Sequence, residues 1–288
     1  MRIANLKGRA VIITGEGTQA VDIETASGGR FGDPATLYDD WADFREWAAA
    51  ADLPEGEPFD ETDLLAPSPR PRQILAIGLN YADLADESGF DAPKDLPPVF
   101  PKFVSSLTGP ITTVVLPAGG KTDGEVELVT IIGKEASHVA EADAWDHIAG
   151  VTVGNDISER VVQLRGPAPQ FGLGKSFPGF TPTGPWLVTP DEFENPDDLA
   201  MTCTLDTEVV QSGRTGKLIA PVSRLIAELS AIITLYPGDL IFTGTPEGVG
   251  LGRTPQMFIQ DGQVLVSRID GIGELRQTFV AAGQGGRR

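Results

Sequence analysis

The segment from Glu125 to Gly133, Glu-Val-Glu-Leu-Val-Thr-Ile-Ile-Gly, sets the tightest limit on how this chain can fold. It is rich in β-branched and apolar residues, which predicts a strand. Side chains at i and i+2 share one face of a strand. Glu125 and Glu127 therefore point the same way, with Val129 and Ile131 beyond them, while Val126, Leu128 and Ile132 take the other face. Both faces turn apolar along the run, which predicts burial. Two carboxylates in such a place cannot both stay ionised without a compensating cation, because desolvation and like-charge repulsion both oppose it. An oxygen-preferring divalent ion is the simplest compensation. The competing reading is an edge strand whose glutamates face solvent.

About thirty residues further on, Asn155-Asp156 supplies a third carboxylate. Glu125, Glu127 and Asp156 are all hard oxygen donors with no cysteine or histidine beside them. That set argues against zinc and for Mg²⁺ or Mn²⁺, with Ca²⁺ a further candidate. The rest of the chain offers little competing chemistry. Cys203 is the single cysteine, so no disulfide or thiolate cluster forms within the chain, and its alternating surroundings make it a strand residue. His138 and His147 fall in an acidic stretch and read as surface residues. No nucleophile elbow is present. The loop Gly172-Leu173-Gly174-Lys175-Ser176 lacks the earlier glycine of a phosphate loop, since position 169 is proline. Its lysine can pair with a substrate carboxylate or be a solvated loop residue. The turn Gly244 to Gly250 can aim backbone N–H groups at an anion, although a plain turn is the simpler reading.

The formal net charge of −19 disfavours nucleic acid and anionic membranes as partners. No signal peptide and no run of transmembrane length is apparent, so the expectation is a soluble cytoplasmic protein. Many short strands, few helices and frequent Gly or Pro turns predict a mainly β, α+β chain with a rolled sheet. The stiff run Ala66-Pro67-Ser68-Pro69-Arg70-Pro71 predicts a boundary. Residues 1–70 would form a small N-terminal α/β domain and 71–288 the catalytic domain, with a disordered tail from about 282. Asp33-Pro34 is expected to open a helix carrying Leu37, Trp41, Phe44 and Trp47. Further helices are expected over Tyr81 to Glu87, over Ala136 to His147, and from Pro221 through Ile233, the last with a 3.6-residue apolar period.

Six segments in order resemble the fumarylacetoacetate hydrolase family: IGLNYADLADESG (77–89), PPVFPKF (97–103), EVELVTIIGK (125–134), GVTVGNDISERVVQ (150–163), GKSF with TPTGPW (174–186), and YPGDLIFTGTPEGVG (236–250). The resemblance implies a rolled β catalytic domain around a central metal, usually in a homodimer, acting on small 2-oxo acids. It implies that Glu125, Glu127 and Asp156 hold the metal and that Lys175 contacts substrate or its enolate oxygen. Thr245 would sit in the carboxylate-binding loop, Arg160 and Gln163 in the wall of the site, and Tyr81 and Phe103 in the pocket. Two departures bear on chemistry. The histidine of the family's water-activating His-Glu pair is replaced by Leu84, leaving Glu87 as the proton-handling residue, and Glu159 and Val161 replace an Ala and an Asp. The implied activity is metal-dependent hydrolysis of a carbon–carbon bond in an acylpyruvate or fumarylacetoacetate-like acid. The alternatives are isomerisation, hydration or decarboxylation of an unsaturated 2-oxo dioate in aromatic or sugar-acid catabolism, or keto-acid binding without turnover.

Overall fold

A computed structural model describes residues 1–83 and 95–283. Leu84, Glu87 and most of the helix expected from Tyr81 lie outside these residues, as does the tail from 284. The fold is α+β and mostly β. A twelve-stranded sheet runs in the order 57–58, 19–22, 9–14, 2–6, 181–188, 148–155, 126–132, 240–242, 74–77, 99–101, with two short strands joining off this path. A five-stranded sheet runs 208–214, 200–205, 264–269, 273–281, 111–116. One hydrophobic core joins the two, with Val11, Val126, Cys203 and Leu275 in the same cluster. No helix among the described residues is long and apolar enough to cross a membrane.

The expected glutamate strand forms at Val126–Ile132 and is buried at every position. It pairs antiparallel with Ile148–Asn155, which is equally buried, and with Leu240–Phe242. Such strands, covered on both faces, read as near-continuous apolar runs. Cys203 lies in the strand Ala200–Leu205, fully buried.

Three helical expectations need correction. The helix expected at Asp33 begins only at Trp41 and runs to Ala50. The Asp33 carboxylate accepts the Ala35 N–H at 2.8 Å, a turn that closes locally without propagating. The aromatic stripe survives as packing, with Trp41 and Phe44 buried and the Phe31, Phe44 and Trp47 rings 5.6–5.9 Å apart. Between Ala136 and His147 only a 3₁₀ stretch forms, Glu141–His147. The backbone before it bonds across the fold instead, Ala136 N–H to Leu235 O at 2.9 Å and His138 N–H to Ser230 O at 2.8 Å. The helix after Pro221 spans Val222–Ser230 and buries Val222, Leu225, Ile226 and Leu229. It stops short of Ile232, which is 75% exposed.

The N-terminal residues share the large sheet. Arg2–Leu6 pairs with Thr181–Val188, and Ile3, Phe44, Ile74, Val129 and Leu187 belong to one buried cluster. Asn80 anchors the turn after the strand Ile74–Ile77: its side chain donates to Thr243 O at 2.8 Å and Ala220 O at 3.0 Å, and accepts the Ala220 N–H.

Candidate metal centre

Register assembles the acidic cluster. Antiparallel pairing sets Val126 against Asn155 and Glu127 against Gly154. The Asn155 carboxamide oxygen accepts the Glu125 N–H at 2.9 Å, and the Asp156 N–H donates to Glu125 O at 2.8 Å. The two acidic ends are thereby locked side by side. Gly154 permits this, because a β-carbon there would lie 2.4 Å from Val129 and 2.5 Å from Phe242. Carboxylate oxygens of Glu125, Glu127 and Asp156 lie within 4.8 Å of one another, all on buried residues.

Cations surround two of the three. Lys175 Nζ sits 2.7 Å from both Glu125 and Asp156. Arg160 Nη2 lies 2.7 Å from Glu125 and 2.7 Å from Asp123. Lys102, which is fully buried, donates to Asp156 and to the Lys175 carbonyl. Burial pushes the Glu125 carboxyl up, but Lys175 and Arg160 outweigh it and hold the group at about 2. Burial likewise opposes the charge on Lys175, and Asp156 and Glu125 more than restore it. Lys102 is pulled down by burial, which Asp156 only partly offsets.

Glu127 differs. Its carboxylate receives the Gly244 N–H at 2.7 Å, and no cationic side chain among the described residues forms an ion pair with it. Burial raises it well above the ordinary carboxyl value, with the charges of Asp156 and Glu125 adding to the effect. A small divalent ion would reverse that balance, since the three hard oxygens of Glu125, Glu127 and Asp156 would hold it with none needing a proton. The donor set thus fits Mg²⁺, Mn²⁺ or Ca²⁺ better than a softer metal.

Glu125 and Glu127 line a cavity of about 830 Å³, onto which Arg160, Gln163, Lys175 and Thr245 also face, while Asp156 lies buried directly behind them. Its walls include Phe100, Phe171 and Leu251. Two expected pocket members are not themselves in the described lining. Tyr81 is buried with its hydroxyl 3.9 Å from Met201 Sδ, and it packs behind Val249, which does line the cavity. Phe103 is 48% exposed outside the described lining, and Phe100 takes the wall position. Thr245 reaches the cavity, but its hydroxyl donates to Val126 O and accepts from Gln211, both at 2.8 Å. The Gly244–Gly250 turn does aim backbone N–H groups at anions, and those anions are protein carboxylates: Gly244 serves Glu127 and Gly250 serves Asp123. Glu159 explains one sequence departure. It caps the helix Arg160–Gln163, accepting the Val161 and Val162 N–H groups at 3.1 and 2.7 Å, and so fixes the turn that carries both wall residues. His138 is exposed and His147 partly so, neither near the cluster.

Sequence reading alone misses Lys102, Asp123 and Gln211. Gln211, in the smaller sheet, accepts the Val126 N–H at 3.0 Å and donates to Thr245 and to Pro246 O. The only local signal for Lys102 is a lysine inside an otherwise apolar, Pro-rich segment.

Comparison with known proteins agrees with this geometry. The fumarylacetoacetate (FAA) hydrolase C-terminal family matches residues 73–280. Human mitochondrial oxaloacetate tautomerase FAHD2A is 43% identical over 227 residues, covering 78% of this chain and 72% of its own. A Mycobacterium smegmatis protein provisionally designated HpcE has a solved structure with 51% identity and a TM-score of 0.94, covering 98% of this chain and 100% of that one. Maleylpyruvate hydrolase from Sphingobium sp. SYK-6, solved with manganese(II) and pyruvate, is 31% identical with a TM-score of 0.80, covering 98% and 100%. With a matching profile over most of its length and an acidic cluster at the floor of its cavity, the chain belongs to the fumarylacetoacetate hydrolase family.

Proposed function

We propose that this chain is a divalent-cation-dependent enzyme that interconverts keto and enol or double-bond isomers of a small 2-oxo acid. One observation carries the reading: Glu125 and Glu127 line a cavity that Lys175 and Arg160 also face, and Asp156 converges on them from behind, with carboxylate oxygens of all three within 4.8 Å of one another. Mg²⁺ or Mn²⁺ held by the three carboxylates supplies Lewis acidity toward a 2-oxo acid. The protein groups do the rest. Lys175 has three N–H donors and directs two at Glu125 and Asp156, leaving one for an oxygen that gains negative charge. Arg160, braced by Asp123, keeps Glu125 ionised and adds positive potential at the floor. Phe100 and Phe171 keep one wall apolar, which strengthens every electrostatic contact inside.

Isomerisation is the reading that tolerates Leu84. It requires stabilisation of an enolate and one group to move a proton, a role we assign to Glu87. The 43% identical relative named as an oxaloacetate tautomerase supports it. Carbon–carbon hydrolysis is the second reading, supported by the 31% identical maleylpyruvate hydrolase, and it demands that Glu87 activate water without a histidine. Two assays separate them. Loss of enol-oxaloacetate absorbance reports tautomerisation, and coupled detection of pyruvate reports cleavage of an acylpyruvate. The first should depend on Mg²⁺ or Mn²⁺ and stop with chelator. Glu127→Gln should lower turnover by at least about 10²-fold, because a ligand carboxylate is lost, and should weaken Mn²⁺ binding read by electron paramagnetic resonance. The metal-free variant should be no less stable than the metal-free parent, since an unpaired buried carboxyl is replaced by an amide. Full activity in chelator, or an undiminished Glu127→Gln variant, would remove the reading. We further propose a homodimeric state, to be measured by light scattering.

A further inference from the structure

The side chain of Asp123 is buried and collects five N–H donors. One oxygen accepts Gly124 N–H and Gly250 N–H, both at 2.9 Å. The other accepts Arg160 Nε at 3.0 Å, Arg160 Nη2 at 2.7 Å and Leu251 N–H at 3.0 Å. A carboxylate offers about four lone-pair sites, so this one is saturated. It contacts neither the cation-binding oxygens nor the open cavity, yet it touches a piece of each. Arg160 continues to Glu125 at 2.7 Å and to Gln163 at 2.9 Å. Leu251 is in the wall of the cavity, and Gly250 lies between it and Val249 in the run 249–256 that supplies that wall. The closeness is built in at Gly250: a β-carbon there would meet Met257 O at 1.7 Å and Asp123 Oδ1 at 2.9 Å. Local geometry places Asp123 for this role, since the two-residue strand Thr122–Asp123 pairs with Ser158–Glu159 immediately before Arg160.

We propose that Asp123 is a positioning residue that couples the floor of the cavity to its wall: through Arg160 it sets the Glu125 carboxylate, and through Gly250 and Leu251 it holds the 249–256 wall against the substrate. The coupling rests on the cation-dependent reading of the site, whereas the tether to the wall does not. Asparagine at 123 keeps the size but loses the charge, and its NH₂ faces N–H donors it cannot accept.

Hydrogen–deuterium exchange on the metal-free protein tests the tether first. Gly250 and Leu251 amides in the parent should be protected although they lie outside regular structure, and Asp123→Asn should speed their exchange at least about 10-fold. Solvent-like exchange at both amides in the parent overturns the proposal even if the variant does not fold. Mn²⁺ titration tests the coupling. Asp123→Asn should weaken Mn²⁺ by about 10–100-fold, the range for loss of an outer partner of a metal ligand. Arg160→Gln should weaken it too, and the double variant should be no worse than the poorer single, because both cut one chain of contacts. Additive losses would mean that Asp123 acts only on general stability and would overturn the coupling. In steady state KM should rise along with the fall in kcat. Absence of Mn²⁺ binding in the parent would sink the cation reading and leave the exchange result to stand or fall alone.

Discussion

At the scale of single residues, the site is a lesson in charges that stabilise one another only as a set. Lys102 is the clearest case. It is buried without exposed side-chain surface and links Asp156 to the backbone of Lys175. Asp156 also pairs with Lys175, so removing Lys102 leaves it one cation rather than none, and the cost should fall below the roughly 3–5 kcal/mol of a fully uncompensated buried charge. Lys102→Met should therefore lower the unfolding free energy read from urea melts by about 1–3 kcal/mol, the cost of buried acceptors left short of a donor, and Lys102→Arg should not restore it in full, because a planar fork does not replace a compact ammonium. The sequence made the three acids legible, because alternation within one strand is a local property. Lys102, Asp123 and Gln211 stayed hidden because each acts on a partner 37 to 85 positions away. Nothing in a short window encodes such a distance. Tyr81 shows what a motif leaves out: it packs directly behind the cavity wall at Val249, with its hydroxyl directed to Met201.

At the scale of elements, caps and close approaches decide which local preferences win. Asp22 caps the short helix Ile23–Ala26 by accepting the Thr25 N–H at 2.8 Å, and it also pairs with Arg9. The Arg9 bond outweighs partial burial and holds the Asp22 carboxyl below its usual 3.8. A depressed carboxyl stabilises the fold above its unfolded value and ceases to do so as pH falls through its folded value. Asp22→Ala should thus cost about 1 kcal/mol at neutral pH, and the gap from the parent should close in strong acid, as read by urea melts across pH. Gly154 tests the opposite kind of constraint. Alanine there meets Val129 and Phe242 at 2.4–2.5 Å, so Gly154→Ala should destabilise by about 1–3 kcal/mol and disturb Mn²⁺ binding through Asp156. Periodicity located the helix Val222–Ser230 well, because its buried stripe is an intrinsic pattern. It misplaced the start of Trp41–Ala50, because Asp33 closes a local turn on Ala35 while the helix opens later, after Asp40, without a side-chain cap.

At the scale of the whole molecule, the mainly β, α+β class was legible from strand density and from the resemblance, while the division into two large sheets and the strand order were not. Pairing of Arg2–Leu6 with Thr181–Val188 sets Arg2 against Val188, far apart along the chain. That pairing bears on the division at residue 70. Fragment 71–288 alone would leave Thr181–Val188 paired only with Ile148–Asn155 on the main path of the sheet and turn it into an apolar edge strand, which invites association. The fragment should aggregate or lose cooperative unfolding in calorimetry, and the full chain should melt in one transition. Gln211 gives the larger sheet's acidic strand a foothold in the smaller sheet, so the corner where chemistry happens is also a mortise joint. Joinery of this kind makes catalytic geometry hostage to carpentry elsewhere. Drift along the outer strand Glu208–Arg214, which touches no reactant, can reach the reaction through a single wooden peg.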